Sequence, residues 1–133
     1  RVNADRTDAL MLDDFLRFDK ILLDAPCTGT GTITEGARIR FSADYLAKCV
    51  RAQKKLIGKA IRLLKKGGTL VYSTCSLLKE ENEGAIDEAL RLGAKLLTAD
   101  IPSEIPCLPS REGTATILPT QVYEGFFVAK LTK

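Results

Sequence analysis

The spacing of apolar positions changes period several times along the chain, and each change marks an element. From Lys20 to Asp24 the run Ile21-Leu22-Leu23 does not alternate with polar residues, which predicts a central strand covered on both faces. The period then lengthens. Leu46, Cys49, Val50, Gln53, Ile57, Ala60, Ile61 and Leu64 recur at helical spacing, with Ser42 as N-cap, Asp44 in the first turn and Gly67-Gly68 as the stop. Thr69 to Ser73 (TLVYS) predicts a second buried strand, ending like the first in a polar residue shortly before a cysteine. Glu80 to Leu92 is amphipathic, acidic at its start, with Ala85, Ile86, Ala89 and Leu90 inward and Gly93 closing it. After LLTA and a surface loop with Pro102, Pro106 and Pro109 come two strands, Ala115 to Leu118 and Phe126 to Leu131. They are joined too closely for a helical crossover and are therefore expected to be antiparallel. At the amino-terminal end, RVN predicts no more than the tail of a strand.

Strand, helix, strand, helix and a closing antiparallel pair give an α/β fold with a mostly parallel sheet. In such sheets ligands bind at the carboxyl ends of the strands. If the first two strands are parallel neighbours, about 4.8 Å apart, then Asp24-Ala25-Pro26-Cys27 and Ser73-Thr74-Cys75 open on one crevice, with two thiols and a carboxylate on its rim.

Composition narrows the chemistry. At 133 residues and 45% hydrophobic content, the chain is the size of one domain with an ordinary core. Its charge is uneven: from Arg38 to Lys66 ten Lys or Arg stand against Asp44 alone. Such a block is either a solvated helix face or a surface for a polyanion such as RNA. The four cysteines, Cys27, Cys49, Cys75 and Cys107, are too widely spaced for a metal knuckle, and the chain has no histidine, so a metal site is not expected. No signal peptide or membrane-spanning run is evident, which predicts a cytoplasmic protein with free thiols. Cys49, on the apolar helix face, and Cys107 are expected in the core. Without histidine, proton transfer falls to carboxylates, thiols, lysine, tyrosine or water.

A thiolate is both a strong nucleophile and a competent leaving group. This suits a reaction in which the enzyme adds to an aromatic ring and later departs. Addition at carbon 6 of a pyrimidine makes carbon 5 nucleophilic enough to attack an electrophilic methyl, and loss of the carbon 5 proton then expels the thiol. Asp24 could hydrogen-bond the ring, and the second thiol could assist elimination.

The segments FDKILLDAPCTGTG, AQKKLIGKAIRLLKKGGTLVYSTCSLLKEENEGAI and GFFVAKL resemble the catalytic half of the Nol/Nop/Sun (Sun/Fmu) family of RNA cytosine-carbon-5 methyltransferases, which use S-adenosylmethionine. The resemblance implies a Rossmann-like methyltransferase fold and RNA, transfer or ribosomal, as partner. It makes Cys75 the nucleophile and Cys27 the residue that helps release product. Asp24 matches the aspartate facing both cofactor and cytosine, Pro26 the proline whose backbone helps place the base, and Asp5 the acidic residue at the adenine end of the cofactor. Arg38 and Arg40 become candidate substrate-binding cations, and Asn82 in EENE a structural residue.

The glycine-rich loop, the ribose-binding acid and the lysine near the target base all precede Arg1 in the family's order. Residues 1–133 therefore read as the carboxyl-terminal part of a single methyltransferase domain with the amino-terminal half missing. Alone it should be inactive, bind S-adenosylmethionine poorly and expose a sheet edge. The later GTG at Gly29 to Gly31 is no substitute phosphate loop; its glycines are expected to turn the chain away from the crevice. The alternative is a non-catalytic RNA-binding or assembly module. An amino-group methyltransferase is disfavoured, since its strand-end pattern of Asp or Asn, two prolines and an aromatic differs from DAPC.

Overall fold

A computed structural model describes residues 6–32 and 41–133. Asp5, Arg38 and Arg40, as well as the RVN segment, lie outside the described residues. A 3-10 turn at Ala9–Met11 precedes β1 (Phe18–Asp24), and a second at Thr30–Thr32 follows it. Next come α1 (Ala43–Leu63), β2 (Leu64–Thr74), α2 (Glu83–Arg91), β3 (Lys95–Leu97), β4 (Cys107–Leu108), β5 (Thr114–Ile117) and β6 (Phe126–Thr132).

Ser42 caps α1 as its sequence predicts, its Oγ accepting the Tyr45 N–H at 3.1 Å. Asp44 in the first turn and Arg62 in the last complement the helix dipole. The helix stops at Leu63, ahead of the glycine pair. Leu64 is already extended (φ −74°, ψ 133°), although its N–H still bonds Ala60 O. The chain thus passes from helix to strand without a loop, and Leu64 satisfies both periods, which hides the boundary from the sequence. Gly67 and Gly68 instead shape a bulge at the start of β2: Phe18 pairs with Leu64, but Lys20 pairs with Thr69. Gly67 adopts φ 75° there and donates its N–H to Lys133 O at 2.8 Å.

The sheet runs β1-β2-β6-β5-β4, with β3 also paired to β6. β1 is parallel to β2, while β6 is antiparallel to β2, β3 and β5, and β4 is antiparallel to β5. β1, β2, β3 and β5 consequently point one way, against β6 and β4. Among the described residues the α/β sheet is mixed: four of its six strands point one way, but only β1 and β2 pair in parallel, and the antiparallel β5–β6 pair expected from the sequence is present. The proline-rich loop also contributes β4, a short edge strand, and Cys107 within it is exposed rather than in the core.

The core lies between the helices and one face of the sheet. Ile57, Ala60 and Ile61 of α1 and Ala85, Ile86 and Ala89 of α2 pack with Leu70 and Tyr72 of β2 and Phe127, Ala129 and Leu131 of β6. Tyr72 and Phe127 meet edge to face at 6.3 Å. β1 departs from expectation. Among the described residues it is the first strand of the sheet, not a central one; Ile21 and Leu23 pack against the core, while Leu22 is 73% exposed.

α2 begins at Glu83, later than the predicted Glu80. Glu81 and Asn82 form a turn, their N–H groups bonding Leu78 O at 3.1 Å, and both side chains are buried. This turn delivers polar groups to the ends of β1 and β2.

Candidate active site

β1 and β2 end side by side. Asp24 is in register with Ser73, and the Ala25 N–H donates to Ser73 O at 2.9 Å. The pairing therefore persists to the last residues of the strands and delivers the two cysteines that follow to one point. The sulfurs of Cys27 and Cys75 lie 3.0 Å apart, both as free thiols. Ser73 Oγ donates to Asp24 Oδ1 at 2.8 Å, fixing that carboxylate at the strand end. The Pro26 carbonyl accepts Gln53 Nε2 at 2.9 Å. Asp24, Pro26, Cys27 and Cys75, singled out from sequence, are thus brought together. Cys49 is buried in α1, in line with a core role.

Burial, reinforced by the hydrogen bond with Cys75, pushes the Cys27 thiol up from 9.0 to about 12, so it stays protonated at neutral pH. The group is held neutral in the fold and ionises more readily in the unfolded chain. Its contribution to stability is therefore complete below pH 9.0 and is lost as pH rises toward about 12. Denaturant midpoints measured across that interval should fall less steeply for Cys27→Ala than for the parent.

The TGTG segment does not lead away from the crevice as expected; it laces the two cysteine loops together. Gly29, at φ 74°, makes the turn. Thr30 Oγ1 lies 3.1 Å from Ser76 Oγ and accepts the Leu77 N–H at 3.0 Å. The Gly31 N–H donates to Cys75 O at 2.9 Å, and its carbonyl accepts the Gly125 N–H at 2.7 Å. A Cβ on Gly31 would collide with the Gly125 carbonyl and lie 2.9 Å from Cys75 O. Backbone on both sides leaves no room to adjust. Gly31→Ala is expected to cost about 3 kcal/mol, the upper end of ordinary overpacking, read from urea unfolding, and to displace Cys75.

Sequence reasoning missed Glu81, which reads there as one of several acids at a helix start. Taking a carboxylate out of water costs several kcal/mol unless hydrogen bonds replace the lost hydration. Glu81 is fully buried, and its oxygens accept from Thr28, Gln53 and Ser76. The signal available was Gln53, a polar residue on the otherwise apolar face of α1. Asn82 also serves the site: its Oδ1 accepts Thr74 Oγ1 at 2.5 Å, and its Nδ2 donates to Ser76 O at 2.8 Å. The structural role implied for Asn82 fits this geometry.

A sheet in which one reversed strand, β6, lies between β2 and β5, with functional groups at the carboxyl ends of the parallel strands, defines the class: a Rossmann-like methyltransferase fold. The N-methyltransferase NodS of Bradyrhizobium japonicum, with S-adenosyl-l-homocysteine, shares this fold at a TM-score of 0.53 and 12% identity. The family follows from closer comparisons. The family described as 16S rRNA methyltransferase RsmB/F matches residues 2–132, and the chain belongs to it.

Ribosomal RNA small subunit methyltransferase F of Aeromonas salmonicida is 39% identical over 126 residues, covering 87% of this chain and 26% of the relative. The tRNA (cytosine(72)-C(5))-methyltransferase of Pyrococcus horikoshii is 39% identical over 127 residues, covering 95% of this chain and 32% of the relative. The crystal structure of NSun6 from Pyrococcus horikoshii with SFG superposes at a TM-score of 0.86 and 37% identity, over 97% of this chain and 34% of that one. The chain spans 26% and 32% of the two curated relatives. Among the described residues, no group of Cys, Asp and Glu could hold a metal ion, and no helix is long and apolar enough to cross a membrane.

Proposed function

We propose that the full-length protein is an S-adenosylmethionine-dependent RNA cytosine-5 methyltransferase and that this chain supplies its nucleophile, acid and release group. The observation that carries the reading is the pair of thiols 3.0 Å apart at the ends of adjacent parallel strands, beside a carboxylate fixed by Ser73. Family membership and the names of the relatives, which act on ribosomal or transfer RNA, point to the same chemistry.

When bound, S-adenosylmethionine supplies an electrophilic methyl group. Of the residues assigned to it by resemblance, Asp24 is described and fits: an oriented carboxylate at the carboxyl end of β1 suits a cationic ligand. Cys75 sulfur adds to carbon 6 of the cytosine, and ring electron density moves to carbon 5. Asp24 hydrogen-bonds the ring nitrogen or exocyclic amine and stabilises this adduct, while the Pro26 backbone, braced by Gln53, helps place the base. Once carbon 5 is methylated, its proton passes by way of Cys27 to water, and the electron pair left behind expels the Cys75 thiolate. The exposed cations of α1, Lys48, Arg51, Lys54 and Lys55, are available to RNA phosphates. A reducing cytoplasm would keep both thiols free.

The test is to incubate the full-length protein with ribosomal and transfer RNA and methyl-labelled S-adenosylmethionine, and to analyse the digested nucleosides by mass spectrometry. 5-Methylcytidine is the expected product. Salt-sensitive RNA binding with no labelled cytosine would refute the enzyme reading and leave a binding module.

A further inference from the structure

Both cysteine loops converge on one buried carboxylate. Glu81 Oε1 accepts the Thr28 N–H at 2.9 Å and Gln53 Nε2 at 3.0 Å. Its Oε2 accepts Thr28 Oγ1 at 2.6 Å and Ser76 Oγ at 2.5 Å. Thr28 follows Cys27, and Ser76 follows Cys75. The carboxylate reaches them from the turn five residues beyond Ser76, whose own backbone is anchored by the Glu81 N–H to Leu78 O at 3.1 Å and by Tyr72 Oη donating to Glu81 O at 2.7 Å. We propose that Glu81 is the positioning residue of this site, setting the separation of the two thiols by binding the residue next to each.

The catalytic consequence rests on the methyltransferase reading; the geometric one does not. Glu81 lies behind the loops and touches neither sulfur through the bonds above, so it acts through Thr28 and Ser76 rather than on the reacting base. What matters is reach. An Asp at this position is one methylene too short to hold both loops, although it keeps the carboxylate. A Gln spans the gap: its oxygen can accept from the Thr28 N–H and Gln53, and its NH2 can donate to the two hydroxyls, which rotate to accept. A role in proton transfer would rank the variants the other way, because Asp retains an ionisable group and Gln does not.

Two measurements on the full-length protein test this, each corrected for the folded fraction from thermal melts. The first is the rate at which diamide joins Cys27 to Cys75, followed by peptide mass spectrometry. Both S–H bonds break, the S–S bond forms, and the two hydrogens reduce the azo bond of the reagent to a hydrazine. The second is kcat and KM for RNA methylation. Glu81→Asp is expected to slow disulfide formation about tenfold and to lower kcat by up to about a hundredfold with KM unchanged, as a displacement on the order of 1 Å would. Glu81→Gln is expected to stay close to the parent in both.

Should Glu81→Asp not fold, Thr28→Val and Ser76→Ala each delete one donor and are expected to slow disulfide formation. Parental thiol-oxidation rates in Glu81→Asp, or in both single-donor variants, would overturn the proposal; so would a loss in Glu81→Gln equal to or larger than in Glu81→Asp. If the parent protein itself methylates no cytosine, the reading of function fails, and the disulfide rates still decide the role of Glu81.

Discussion

Cys75→Ala in the full-length protein is expected to abolish 5-methylcytidine formation, lowering the rate by more than about a thousandfold because no other group can take over the covalent step. The fold should survive. The contacts that seat this residue run through its backbone, with the Gly31 N–H donating to Cys75 O, and alanine preserves them. Among the described residues the alternative nucleophile in reach is Cys27, at 3.0 Å, but burial and the hydrogen bond with Cys75 push it to about 12, leaving little thiolate at neutral pH. Removing Cys75 takes away one of those two causes and leaves burial, the larger. Quantifying 5-methylcytidine by mass spectrometry decides between the thiols: full activity in Cys75→Ala, with none in Cys27→Ala, would exchange their roles.

The sequence made the order of elements readable because periodicity reports which faces are buried. It placed α1 from Ser42 onward and the β5–β6 pair correctly, and it put both cysteine motifs at one edge. Its failures have physical causes. The helix end was misplaced because Leu64 belongs to an apolar face in either conformation, and the stop attributed to Gly67-Gly68 is a strand bulge. β1 reads as central because its apolar run does not alternate, yet among the described residues Leu22 is exposed. The role of Gly31 was hidden as well, since a glycine pressed between two backbones has the same local sequence as one making a turn. Glu81 was the largest omission. A buried carboxylate is defined by its donors, two of them, Thr28 and Gln53, brought from distant segments, and at its own position it looks like any acid near a helix start.

Cys27→Ala is expected to give the second large effect, of a different kind: the reaction should begin and then stall. In the parent, Cys27 lies against the attacking sulfur; as the ring rearomatises its sulfur takes up the carbon 5 proton while its own S–H proton passes to water. Alanine removes the thiol–thiol contact but keeps the Ser73–Asp24 hydrogen bond and the Gly31 N–H on Cys75 O, so addition and methylation proceed, while elimination loses its assistance and slows about a hundredfold or more. A covalent protein–RNA species should accumulate in the presence of S-adenosylmethionine and appear as a shifted band on a denaturing gel. It should vanish in the Cys27→Ala/Cys75→Ala double variant, because the bond runs through Cys75 sulfur. Turnover at the parental rate without the shifted band would remove Cys27 from the release step. A shifted band that survived loss of Cys75 would show the covalent bond to lie elsewhere, and the pairing of roles across the 3.0 Å gap would have to be redrawn.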